Sequence, residues 1–446
     1  MEQEHVFEAG NMAFLFLPMD LKNIEDYEHF QKQLKESRQW KLVDDREKNR
    51  YIFRYITDKM DSKKPEECLH LHYLLSEEEL ESHGWGSAGE KYQIFPDGNT
   101  QETEIIRYQI QGVQLFTFQT GVTIIAVQVI FEKDEPDYVA TGLYYLKKVQ
   151  KVQLSDGQTL LEAMKGLFTG PMEEKLRFFP HSNEGTERAN VMCMAYEPKK
   201  ENWKQDLYFL KNCLQTRRFV YLDAMEREDE NLVTSEDYVW GVTGENLGCL
   251  ITERSKHFFR SFYQHFQEEY MLIYVLLLHR KYDLYKIITD FGIGEQNDLQ
   301  TLKDYQKRLN LYQTDYAYER ITEVPQYHYL YKKIETKMEL SELFADVMEP
   351  VSQLSSMQME KAEAEHAKRE GRLERALALL SILTIFSALI DCWSYIDEVA
   401  DDLWVLRQPL SAWPGQIIAH AVFSGVLILV ALIVVGSLWL DFRKRK

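Results

Sequence analysis

From Ile417 to Leu440 the chain runs for 24 residues without a formal charge, histidine counted neutral. A helix needs about 20 residues to cross the hydrocarbon core of a bilayer. Leu, Ile, Val and Ala dominate the run, and Trp439 stands at its end, where interfacial tryptophan is favoured. Arg443, Lys444, Arg445 and Lys446 follow at once. A core helix rarely runs this long without a charge, so the segment predicts a transmembrane helix.

A second apolar stretch precedes it. Ala376 to Ile390 is uncharged, Asp391 interrupts, and Cys392 to Ile396 continue the stretch. Lys368, Arg369, Arg372 and Arg375 lie before this stretch and the basic tail lies after the other. The linker between them holds Arg407 against Asp397, Glu398, Asp401 and Asp402. Positive charge stays in the cytoplasm, so the pattern predicts a hairpin of two spans in the cell membrane, with both termini cytoplasmic and the linker outside. The short acidic start, Met1-Glu2-Gln3-Glu4-His5, does not read as a secretory signal. An acid at membrane depth is costly and faces a water-filled path or a partner, or else sits at headgroup level. Asp391 is therefore a pore candidate, and His420, near the outer end of the second span, is another. Asp397, Glu398, Asp401 and Asp402 are candidates for the outer mouth; the plain alternative is a solvated loop.

Upstream of the spans the pattern is helical. Leu340, Leu343, Phe344, Val347, Val351 and Leu354 recur at helical spacing, and nothing between Met359 and Arg375 except Gly371 weakens a helix. One helix, kinked or started at Pro350, is expected to run from about Glu335 into the first span. Before it, aromatic and aliphatic residues from Phe258 to Leu278 recur at three- and four-residue steps and predict a long helix over about 252–290, ended by Gly292 and Gly294. Another is expected from Leu299 to about Thr322, with Pro325 separating it from the stalk.

The first 250 residues read as an α+β domain. Strands are expected at Met12–Leu17, Tyr51–Tyr55, Leu69–Tyr73, Val191–Tyr196 and Phe219–Leu222. Two or three more fall between Ile105 and Phe131, turning at Gly112 and Gly121, and a strand pair flanks Gly244-Glu245-Asn246. Tyr138–Gln150 and Leu160–Leu167 read as helices. The expected divisions are thus 1–250, an α+β cytosolic domain; 251–334, a helical region; 335–375, the stalk; 376–396, the first span; 397–416, the outer loop; 417–440, the second span; and 441–446, the basic tail.

The net charge of −19 gives no overall attraction to nucleic acid, so none is expected as a direct partner. The five cysteines are scattered without a C-x-x-C pair, which fits a reducing compartment rather than a disulfide framework. No phosphate loop, dinucleotide fingerprint or H-E-x-x-H is present, and no acid/base or nucleophile set stands out, so an enzyme is not expected. His70 and His72 form an H-x-H on one strand face but lack a third ligand; packing is the plainer reading. The acidic run from Asp223 to Glu230 reads as a solvated loop, and Arg217-Arg218 as a surface pair.

The order of parts resembles the CorA family of divalent-cation channels along nearly the whole chain. The run Tyr270-Met271-Leu272-Ile273-Tyr274-Val275-Leu276-Leu277-Leu278-His279-Arg280-Lys281-Tyr282 looks like the family's willow helices. Leu383-Thr384-Ile385-Phe386-Ser387-Ala388-Leu389 looks like the core of its first span, and the strands around Trp240-Gly241 are similar to a pair in divergent members. The family's Gly-Met-Asn filter is missing, and Tyr395-Ile396-Asp397-Glu398-Val399 stands at that place. The resemblance implies a homo-oligomer, a pentamer, in a lipid bilayer, moving cations with altered or lost magnesium selectivity. It implies no resident cofactor, magnesium or another divalent ion being substrate or regulator. Divergent CorA-like proteins without Gly-Met-Asn serve in prokaryotic anti-phage systems, including CRISPR-linked nucleotide signalling, so a small nucleotide sensed by the large N-terminal domain is the second expectation. A membrane scaffold that conducts nothing is the third.

Overall fold

Strand β1 (Met12–Leu21) is buried at all ten positions. Successive side chains of a strand point to opposite faces, so a strand with no polar face can sit only where both faces are covered. Ala13, Leu15, Leu17, Met19 and Leu21 enter one core. Met12, Phe14 and Phe16 enter a second core on the other face. The computed structural model describes residues 10–22, 26–60, 63, 68–96, 105–168, 176–179, 188–196, 202–222, 230–233, 235, 237–251, 256–293 and 299–402. It also describes 421–422, 425–426, 428–430 and 432–433.

Around β1 lie β2 (Trp40–Leu42), β3 (His70–Leu75), β4 (Tyr92–Ile94), β5 (Ile106–Phe118), β6 (Val122–Phe131), β7 (Leu176–Phe178), β8 (Asn190–Tyr196), β9 (Asn231–Val233), β10 (Tyr238–Val242) and β11 (Asn246–Ile251). Nine strands follow the order β2-β3-β5-β6-β1-β8-β11-β10-β9, with β4 paired to β5 and β7 paired to β1. The sheet is mixed. Only β8 and β11 pair in parallel, Val191 opposite Asn246 and Tyr196 opposite Ile251. A parallel pair needs a crossover of a dozen residues or more, and a helix supplies it here.

The first core is closed by α1 (Tyr27–Glu36), α2 (Pro136–Leu146), α3 (Leu160–Gly166) and α4 (Trp203–Asn212), which contribute Phe30, Leu143, Leu160 and Leu210 among others. The opposite core is closed by α5 (Lys256–His265), α6 (Met271–Ile293) and α8 (Pro325–Lys337). There Phe16 meets Tyr274 edge-on at 5.2 Å, and Trp240 stacks on Phe266 at 6.1 Å. Between α5 and α6 the chain makes a π-helical turn over Phe266–Tyr270, so the expected helix continues with one loosened turn. A smaller cluster, with Leu284, Ile287, Leu309 and Tyr312, joins α6 and α7 (Leu299–Leu311) to Val347 and Val351 of α9 (Leu340–Asp402). The α+β domain and the long helix are therefore present. The chain divides into two compact units, Met1–Leu354 and Ser355–Lys446.

Several expectations change. Tyr51–Tyr55 is not a strand but a turn leading into a short helix at Arg54–Thr57. Ile52 and Ile56, four residues apart, reach the core together, which is helical rather than strand spacing. Phe219–Leu222 forms no strand, and Phe219, Val220 and Leu222 are exposed. Gly112 is not a turn: β5 runs through it with a shift of register between Ile110 and Gly112. Gly121 does turn the chain, with a positive φ of 83°. Helix α7 stops at Leu311, followed by a second π turn over Tyr312–Tyr316. Pro325 opens a helix of its own, at the position where a missing N–H costs least. The stalk begins at Leu340, after Glu339 in the left-handed region at φ 52°, and passes through Pro350 without ending.

Two glycines set how closely α4 lies on the sheet. Gly241 and Gly248 face each other across β10 and β11. A Cβ on Gly241 would come within 2.7 Å of the Lys211 Cδ, and one on Gly248 within 3.1 Å of the Lys211 backbone.

Phe16 is fully buried, so Phe16→Ala is expected to cost about 3–5 kcal/mol in unfolding free energy. Tyr329→Ala, at an exposed site, should change it by about 0.5 kcal/mol or less. Denaturant titration of the two variants checks both.

Candidate functional site

Helix α9 carries the sequence candidates that fall within the described residues. Leu377, Leu379, Leu380, Leu383, Ile385, Phe386 and Ile390 are 40–65% exposed. At about 100° per residue these positions are spread round the whole circumference. A helix that packs on one neighbour shows an apolar stripe; one that is apolar all round needs a cover on every side. Two hydroxyls in this stretch bond within the helix. Ser381 donates to the Leu377 carbonyl at 2.9 Å and Thr384 to the Ser381 carbonyl at 2.8 Å, which is how hydroxyls are accommodated where water is scarce. Val422, Val426, Ile428, Leu429, Leu432 and Ile433, from the other apolar run, are 48–66% exposed.

Among the described residues no helix is long and apolar enough to cross a membrane. The uncharged run with uninterrupted side-chain description ends at Ala388, short of the roughly 20 residues a span requires. Most of Ile417–Leu440, His420 included, lies outside the described residues.

Asp391 is exposed and follows directly on the apolar stretch. The helical backbone continues past residue 396 to Asp402, since no glycine or proline intervenes, and so includes the first residues of the expected outer loop. It places positions 391, 398 and 402 on one face, at steps of seven and four, and positions 397 and 401 on another. Lys368, Arg369, Arg372 and Arg375, all exposed, precede the apolar stretch on the same helix.

The H-x-H of β3 is interior. The His72 ring donates from Nδ1 to Asp45, 2.8 Å away, has its Nε2 2.9 Å from the Gln114 amide oxygen, and stacks on Phe116 at 4.2 Å. Burial works against ionising Asp45, but the charge and hydrogen bond of His72 outweigh it, and the carboxyl titrates below its ordinary range. His70 packs near Phe118, which stacks on His279 at 3.8 Å. His70 Nε2 and His279 Nδ1 have no hydrogen-bond partner. Burial pushes His70 down to about 4, against the pull of Asp45, and holds His279 well below its usual value. Among the described residues no three His, Cys, Asp or Glu side chains are grouped to hold a metal. Of the acidic run, residues 223–229 lie outside the described residues.

Sequence reasoning missed one feature. A cavity of about 750 Å³ opens between β4 and the turn after α2, and Lys91, Lys148 and Lys151 line it with no carboxylate among the described lining residues. Its lysines are 57 or more residues apart in two groups, so no local motif marks it. Arg217 lines a neighbouring cavity of about 200 Å³. Cys68, Cys193, Cys213 and Cys249 are buried. No protein family, curated protein or solved structure matches the chain.

The buried imidazoles predict a pH dependence. Histidines held neutral in the fold take up protons on unfolding below about pH 6.5, so stability falls as the pH drops from 6.5 towards 4. His70 alone is expected to account for about 3 kcal/mol of that fall. His70→Leu should leave the melting temperature at pH 7 nearly unchanged and make its decline towards pH 4.5 shallower, as thermal scans across that range would read.

Proposed function

We propose that this chain is a membrane-anchored, homo-oligomeric cation channel or transporter of CorA-like organisation, with altered or lost magnesium selectivity. The observation that carries the reading is α9: an apolar stretch exposed on every side, basic residues before it, and carboxylates on the same helix after it. Lipid covers such a stretch on its outside and copies of the same helix cover it on the inside. One helix cannot enclose a path for ions, so conduction requires several copies, five by the resemblance. Asp391, Glu398 and Asp402 then form stacked rings that concentrate cations, with Asp397 and Asp401 beside them at the mouth. The second helix, carrying His420, packs outside, and both termini stay in the cytoplasm. Without Gly-Met-Asn, selectivity rests on charge and pore width, and discrimination between magnesium and other divalent ions weakens.

The lysine-lined cavity favours a second reading, in which the α+β domain senses a small nucleotide and gates the membrane helices.

Reconstituted into liposomes, the protein is expected to pass divalent cations, and Asp391→Ala and Asp397→Ala to lower that flux several-fold while leaving the oligomer intact by size. Flux absent from all three forms would leave a membrane scaffold. Extraction of the full-length protein from membranes by alkaline carbonate alone would overturn the spans themselves.

A further inference from the structure

In a chain with 71 acidic and 52 basic residues, a cavity lined, among the described residues, by three lysines and no carboxylate runs against the prevailing charge. Its walls are fixed by contacts behind them. Tyr92 accepts the Trp85 indole N–H at 3.1 Å and packs on Tyr108 with ring centroids 5.5 Å apart. The Tyr145 hydroxyl accepts from the Gln215 amide at 2.6 Å. Lys148 Nζ lies 3.5 Å from the centroid of the Tyr144 ring, and its hydrogen bond and charge, joined by Arg218, draw that hydroxyl below its ordinary value. Lys91 and Lys151 make no ion pair among the described residues. Phe95, at the edge of the cavity, is 44% exposed, an aromatic face left uncovered beside the lysines. Glu90 and Asp156 are near enough to act on the Tyr92 hydroxyl, and Asp156 also accepts the Gln158 backbone N–H at 3.0 Å.

We propose that this cavity is a binding site for a small phosphate-bearing molecule with a planar ring, a nucleotide, whose phosphates meet Lys91, Lys148 and Lys151 and whose ring stacks on Phe95. The volume of about 750 Å³ lies within the range of small-molecule sites. Lysine ammonium groups serve as point charges for phosphate, and an exposed aromatic face takes any base. The site identifies where the ligand of the gated reading would bind, and only its coupling to the membrane helices rests on that reading.

Full-length protein in detergent, titrated calorimetrically with ATP, GTP, NAD and cyclic di-AMP, is expected to bind at least one with a micromolar dissociation constant. Inorganic phosphate and adenosine, the two halves, should each bind at least tenfold more weakly. The double variant Lys91→Gln/Lys151→Gln should lose at least tenfold in affinity with its melting temperature unchanged, and Phe95→Ala several-fold. Absence of submillimolar binding by all four nucleotides would overturn the proposal, as would a double variant that binds like the parent. Conduction plays no part in this measurement: binding without ion flux removes the channel and keeps the site, and flux without binding does the reverse.

Discussion

Everything in the α+β domain depends on β1 having no polar face. Ten consecutive buried residues cannot be accommodated at a sheet edge or beneath a single layer, so the strand demands a partner on each side and a helical layer on each face. Its neighbours β6 and β8 meet the same condition, with Ile124 to Val127 and Val191 to Ala195 buried. The ends of β1 are held by polar contacts. Asn11 donates to the Phe131 and Lys133 carbonyls and accepts from the Phe131 N–H at 2.8 Å. Asp20 at the other end receives Arg177 from β7 and Lys286 from α6, at 3.2 Å for the lysine.

That second anchor belongs to a larger arrangement of charge. Arg308 of α7 bonds Asp283 of α6, and Asp290 lies between Arg308 and Arg177. Burial draws Lys286 below its ordinary value while Asp20 holds it up. Within two turns on the same helix, Arg280 reaches Glu335 of α8 at 2.6 Å and the hydroxyls of Tyr312 and Tyr331. Such pairs contribute little net stability against apolar replacements, but breaking one partner strands the other in a dry interior. Their effect is to fix which residues of α6, α7 and α8 stand opposite one another, a choice that apolar packing alone leaves loose.

The strands legible in the sequence include the apolar runs from Met12 onward, Val191–Tyr196 and the pair around Gly244, and also Leu69–Tyr73 and the strands between Ile105 and Phe131. The helices were legible where aromatic residues recur at three and four. Tyr51–Tyr55 misled because aromatic and β-branched residues promote a strand reading, while their burial at Ile52 and Ile56 follows a helical step. Phe219–Leu222 misled because a run of four apolar residues was read as a strand, when only Tyr221 packs against the core and Phe219, Val220 and Leu222 lie exposed. The apolar surface of α9 and its acidic positions were legible because they are contiguous in sequence. The lysine-lined cavity was not, because it is assembled from β4 and a distant turn, which bring Lys91 to Lys148 and Lys151 only in the fold.

Gly241 and Gly248 make the gap between α4 and the sheet a matter of main chain against main chain and the stem of Lys211. Elsewhere in the two cores a changed side chain can be absorbed by neighbours adopting other rotamers. Here there is little to rotate, because the closest atoms at Gly248 belong to the Lys211 backbone itself. A methyl group gained at Gly248 would therefore meet main chain that has to give by a few tenths of an ångström, whereas one gained at Gly241 would meet the Lys211 and Leu207 side chains.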